Sequence, residues 1–147
     1  MLKILFLNII LFVNLFAIEN VYFLPKQSSE AKAEILNLIN NAKTNIDIAM
    51  YNFKYKKFAK ALKKAEKRGV AVKIYYYKKK LDFSKKITLI KIKNKLHTKI
   101  AIFDKKRVVF GSLNWTKESF NNNYEVMYIT DKKDIVKEFN TFFNSIK

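Results

Sequence analysis

His97 is the chain's single histidine. It heads the run His97-Thr98-Lys99-Ile100-Ala101-Ile102-Phe103-Asp104, and Gly111-Ser112-Leu113-Asn114 follows shortly after. These residue types suit a phosphodiester. An imidazole can attack phosphorus or move a proton near neutral pH. The Lys99 ammonium can neutralise non-bridging oxygens, and Ser112 and Asn114 can donate hydrogen bonds to them. A lone histidine beside an apolar strand is more often structural, and a lysine two positions on is unremarkable in so basic a chain. Six residue types fixed across 18 positions decide for the chemical reading.

Those side chains need a scaffold that brings them together. Lys99-Ile100-Ala101-Ile102-Phe103 and Arg107-Val108-Val109-Phe110 are rich in β-branched and aromatic types and read as strands. The polar residues Asp104-Lys105-Lys106 between them make the pair a hairpin. Side chains two apart on a strand share a face, which places His97 with Lys99. Gly111-Ser112, at the end of the return strand, comes back beside them.

The spacing His-x-Lys, four residues, Asp, six residues, Gly-Ser-x-Asn resembles the signature of the phospholipase D superfamily, and most closely its small bacterial endonucleases, which carry one copy per chain. The resemblance implies an α/β fold of the phospholipase D-like sandwich type, a mixed β-sheet flanked by helices. It implies that one histidine forms a covalent phosphohistidine while a second protonates the leaving oxygen and then activates water. One motif and one histidine per chain therefore imply a homodimer with the site on its twofold axis. The scheme needs no cofactor and no metal, in keeping with a chain that has no cysteine and a single histidine. Glu125 stands where related nucleases carry an acid that hydrogen-bonds the histidine ring, a role the resemblance favours over that of a solvated glutamate at a strand start. Asp104 belongs to the signature, in a role that supports the site rather than touching phosphate; the sequence by itself favours a turn aspartate. Met50-Tyr51-Asn52-Phe53 resembles the segment that brings an aromatic ring near the active site. Residues 78 to 95 depart from the pattern, being short and lysine-rich, which leaves substrate preference open.

The rest of the chain reads as alternating strands and helices, the pattern of an α/β architecture. Val21 to Leu24 is a short strand, and Ser28 or Ser29 is expected to cap a helix running to Ala42, with Ile35, Leu38, Ile39 and Ala42 at helical spacing. Asn45 to Tyr51 is a strand. Residues 57 to 68 form a second helix, with Phe58, Ala61, Leu62 and Ala65 inward and Gly69 at its end. Val70 to Tyr77 and Ile87 to Ile92 are strands separated by a charged connection. Glu125 to Thr130 is the last strand, and Asp131 or Asp134 starts a closing helix with Ile135, Phe139, Phe142 and Ile146 on one stripe. No internal repeat is visible.

Composition narrows the partner. The chain has 147 residues, enough for one domain with a real core, and a formal net charge of +18. From Lys78 to Arg107 there are 11 lysines and one arginine against two aspartates, a local net of +10. Such charge points to a polyanion, either nucleic acid or an anionic lipid surface, although a lysine-rich composition bias supplies part of it. Tyr75-Tyr76-Tyr77 followed by Lys78, Lys79 and Lys80 could stack bases and hold phosphates; outward tyrosines on a strand are the plainer reading. Residues 1–17 hold Lys3, an apolar run from Ile4 to Val13 broken by Asn8, and Leu15-Phe16-Ala17. They read as a signal peptide cut after Ala17 or an uncleaved anchor giving membrane association, with residues 18–147 as the phospholipase D-like domain. The chain is then exported, periplasmic or anchored facing the periplasm. Three readings compete: a nuclease acting on DNA or RNA, a phospholipid-directed enzyme of the same superfamily, and a non-catalytic nucleic-acid-binding protein. The intact His-Lys-Asp set speaks against the last; small size, single motif and charge favour the first.

Overall fold

Helical and alternating apolar patterns resolve into one mixed sheet with helices on both faces. A computed structural model of the chain describes residues 17–77, 83 and 85–146. The signal or anchor expected at residues 1–17 lies outside them except for Ala17, as do Lys78, Lys79 and Lys80.

In chain order the elements are β1 (Glu19–Leu24), α1 (Ser28–Asn41), β2 (Asn45–Met50), α2 (Lys56–Lys67), β3 (Ala71–Tyr76), β4 (Thr88–Lys91), β5 (Lys99–Phe103), β6 (Arg107–Gly111), α3 (Lys117–Asn121), β7 (Glu125–Thr130) and α4 (Lys133–Ser145). The sheet order is β1-β7-β6-β5-β2-β3-β4. Parallel pairs β2–β3 and β3–β4 lie on one side, and antiparallel pairs β2–β5, β5–β6, β6–β7 and β7–β1 on the other. The α/β expectation and its mixed sheet hold.

One face of the sheet carries the larger core. Ile35 and Ile39 of α1 and Phe58 and Leu62 of α2 are fully buried there against Ile46, Ile48 and Ile74 of the sheet. Each such side chain contributes about 2 kcal/mol on leaving water. The outer side of α2 is all lysine at Lys56, Lys57, Lys60, Lys64 and Lys67, so the helix is set by its amphipathic stripe. Gly69 ends it at φ +94, a conformation that suits glycine. On the opposite face α4 packs Val136 and Phe143 over Ala49, Tyr75, Ile102 and Val108.

Several local expectations need correction. Ser28 does not cap α1. The cap position is Gln27, without a side-chain cap, and the Ser28 hydroxyl donates instead to Asn121 at 3.0 Å. The closing helix begins at Lys133 after Lys132 rather than at an aspartate cap. Helix α3 was not foreseen. Five residues are too few to show a helical period, although Thr116, which accepts from the Ser119 N–H at 3.1 Å, is a recognisable cap. Tyr75 is neither outward nor free to stack a base, because it is buried with its ring 5.5 Å from that of Phe143.

Candidate active site

The β5–β6 hairpin and the sheet order together decide which residues meet. The turn is closed by the Lys106 N–H donating to the Phe103 carbonyl at 3.0 Å, with Asp104 and Lys105 both at positive φ. Strands β5 and β6 run antiparallel from it, so Lys99 and Gly111 lie together at the other end of the sheet. There His97, Lys99 and Ser112 line one open groove of about 390 Å³, with Ile100, Phe110 and Phe139 as its apolar wall.

His97 is exposed. Its ring meets Tyr51 edge to face, centroids 4.6 Å apart. Tyr51 is held there because its N–H donates to the Thr98 carbonyl at 2.9 Å. The Lys99 ammonium donates to the His97 carbonyl at 2.8 Å and lies 3.3 Å from each ring nitrogen. It also stands 5.5 Å from the Tyr51 ring centre. Partial burial holds the Lys99 ammonium below the ordinary lysine range, with Glu125 opposing the shift and Lys95 adding to it. An ammonium beside an accessible imidazole can receive the charge of a phosphodiester as the ring attacks it.

Gly111 is required by close approach. A Cβ there would fall 2.0 Å from the Val126 carbonyl oxygen. That contact lets the Ser112 N–H donate to the Val126 carbonyl at 3.0 Å, and the Val126 N–H donate to the Ser112 hydroxyl oxygen at 3.1 Å. The Ser112 hydroxyl in turn donates to Glu125. Asn114 stands one step away. Its Oδ1 accepts from the Asn52 N–H at 3.1 Å. That bond requires the oxygen on that side and leaves the Asn114 amide NH₂ to donate. Asn52 lies in the Met50-Tyr51-Asn52-Phe53 segment expected near the site, whereas Phe139, which the sequence places only on the closing helix's stripe, reaches the groove by tertiary packing that no local pattern announces.

Glu125 and Asp104 lie at opposite ends of the sheet, Asp104 as the turn aspartate that the sequence by itself favours. Glu125 bonds Ser112 and Asn123 within the chain, and its charge acts on Lys99. Strand β6 lies between β5 and β7, and two strand spacings of about 4.8 Å separate Glu125 from the strand that His97 leads into. Asp104 is outside the groove. It sits at the far end of β5, about 16 Å along the strand from Lys99. Its carboxylate accepts from the N–H groups of Lys43, Thr44 and Asn45 and from the Thr44 hydroxyl, at 2.7–3.2 Å. Partial burial raises its pKa, but these hydrogen bonds outweigh that and hold it below the ordinary value. Asp104 pins the α1–β2 connection to the hairpin turn.

Asp104→Ala is therefore expected to lower stability by about 2 kcal/mol, the scale of lost charge-assisted hydrogen bonds discounted for exposure. Because the folded pKa is depressed, the contribution is present above about pH 4 and fades as pH falls through the folded value. Urea unfolding of wild type and Asp104→Ala across pH checks both points. Turnover below the melting temperature should stay near wild type; unchanged stability with abolished turnover would return Asp104 to the chemistry.

A family model described as cardiolipin synthase, PLD-like domain, matches residues 35–147. The chain belongs to this family. Among solved structures, this phospholipase D-like chain superposes on NucT from Helicobacter pylori with a TM-score of 0.80 and 26% identity, covering 89% of this chain and 96% of that one. It matches Nuc of Salmonella typhimurium, a phospholipase D family member, with a TM-score of 0.75 and 26% identity, over 90% and 97% of the two chains. The human mitochondrial cardiolipin hydrolase is 26% identical over 128 residues, 79% of this chain and 50% of that protein. The chain spans about half the length of the first curated relatives it matches, at 54% and 50%. The family agrees with the phosphodiesterase class that the motif's resemblance implies.

Proposed function

We propose that the protein is a phosphodiesterase that cuts nucleic acid, most readily DNA, through a phosphohistidine at His97, in a site completed by a second copy of the chain. The observation that carries this reading is the exposed imidazole in an open groove with the Lys99 ammonium 3.3 Å from its ring nitrogens. A ring nitrogen of His97 attacks phosphorus, the P–O bond to the leaving group breaks, and the imidazole of the second copy gives that oxygen its proton. The same imidazole then takes a proton from water, which displaces His97 and breaks the P–N bond. Lys99, Ser112 and the Asn114 amide stabilise the charged oxygens.

One histidine per chain cannot fill both roles. The edge of the sheet next to Glu125 also carries exposed apolar side chains, Phe23 paired with Val126 and, just before the strand, Tyr124. Such a surface favours coverage by a second copy. A formal charge of +18 and a groove open to solvent favour a long polyanion. The second reading is a phospholipid substrate. It is favoured by the family description, the cardiolipin hydrolase relative and the apolar wall of Ile100, Phe110 and Phe139.

Incubation of the purified protein with labelled DNA, RNA, phosphatidylcholine and cardiolipin in excess EDTA tests the proposal. Cleavage of nucleic acid that persists in EDTA is the expected result. Activity lost in EDTA and restored by magnesium would overturn the mechanism, and lipid cleavage alone would overturn the substrate. Export belongs to the same reading and rests on residues 1–17 of the sequence; fractionation of the host cell, with the protein found only in the cytosol, would remove it.

A further inference from the structure

The end of the sheet opposite His97 has its own character. The β5–β6 turn, the start of β1 and the β7–α4 connection all meet there, because β6 and β7, and β7 and β1, are antiparallel. A groove of about 810 Å³ opens between the turn and α4, and Ala17 lies on its rim. Lys105, Lys106, Lys132, Lys133 and Lys137 surround it, and all five are exposed. Its acid, Asp131, is already engaged, accepting from the Ile18 N–H at 2.7 Å and from Arg107 at 3.2 Å. None of the five lysines is ion-paired among the described residues.

We infer that this lysine groove seats the anionic headgroups of a phospholipid bilayer and turns the His97 end of the sheet away from that surface. Two observations select a bilayer over a nucleic acid. The residue on the rim, Ala17, comes four positions after the apolar run from Ile4 to Val13, beyond Leu15 and Phe16, so the groove lies beside the point where that N-terminal segment enters the described fold. And a phosphodiester at the imidazole lies about 16 Å away, the length of β5, so the charge of this groove does not contact the group being cleaved. Clustered lysines next to an apolar segment bind anionic lipid, while their aliphatic stems cover apolar surface. The inference is independent of which phosphodiester the His97 site cleaves.

The test compares the full chain on vesicles of phosphatidylglycerol with phosphatidylcholine and on vesicles of phosphatidylcholine alone. The apolar N-terminal run contributes to both, so the ratio of partition coefficients isolates the charged groove. One variant carries Lys105→Gln, Lys106→Gln, Lys132→Gln, Lys133→Gln and Lys137→Gln. A control carries Lys56→Gln, Lys57→Gln, Lys60→Gln, Lys64→Gln and Lys67→Gln on α2, with the same change in net charge. The groove variant is expected to lose the anionic preference by about fivefold for each lysine that reaches the surface. The α2 variant should keep most of it. Hydrolysis of a small chromogenic phosphodiester by the groove variant should match wild type, which shows an intact fold and site. Equal loss in both variants would mean that only net charge matters and would overturn the inference. So would an undiminished preference in the groove variant, or loss of its DNA binding with vesicle preference intact, which would make the groove a nucleic-acid surface.

Discussion

His97→Ala is expected to lower phosphodiester hydrolysis on the order of 10⁴-fold or more, because the change removes the attacking atom and the proton carrier together. The fold should survive. His97 is exposed and lies outside both apolar cores, so circular dichroism and the melting temperature should stay near wild type. Mixing separates a shared site from two independent ones. If both imidazoles serve one site, dimers pairing wild type with His97→Ala should be nearly inactive. Half the wild-type rate in a purified mixed dimer would mean that each chain works alone, and a fully active monomer would exclude the shared site. Turnover of His97→Ala close to wild type would end its assignment as nucleophile.

Gly111→Ala should have the largest effect on stability. The added methyl would sit 2.0 Å from the Val126 carbonyl oxygen and 3.1 Å from the Met127 Cα, both main-chain atoms that cannot rotate away. Strands β6 and β7 must part locally, at a cost of about 2–3 kcal/mol for an overpacked site. For a domain of this size the melting temperature should fall by roughly 10 °C. Activity should fall as well, since the same separation breaks the paired hydrogen bonds that hold Ser112 against Val126. A melting temperature within about 2 °C of wild type would show that the strands accommodate the methyl, contrary to this account.

The elements were largely legible in the sequence, and the reasons are local. Phe58, Ala61, Leu62 and Ala65 recur at helical spacing, and α2 forms with them inward. The hairpin around Asp104 was readable from two β-branched runs and a polar break. The grouping of His97, Lys99 and Ser112 was readable too, because a hairpin returns its last residue to its first. What was not legible depends on strand order. No spacing reveals that β6 stands between Glu125 and the His97 strand. Asp104 belongs to the same short motif as His97, yet an extended chain carries it to the opposite end of the sheet, where Thr44 and its neighbours bind it. The lysine-rich stretch around the motif is divided in the same way: Lys99 faces the groove with His97, while Lys105 and Lys106 turn to the far end.

The pairing of β1 with β7 has a consequence for how the molecule is made. Among the described strands, Glu19 to Leu24 leave the ribosome first, and their hydrogen-bonding partners, Glu125 to Thr130, leave last. The central pair β2–β5 likewise joins Ile46 to Phe103 across the middle of the chain. Contacts this distant in sequence slow folding, since loop closure precedes the gain from pairing. A nascent chain that has not reached Thr130 therefore holds β1 without its partner, and the sheet is completed only once β7 has been made.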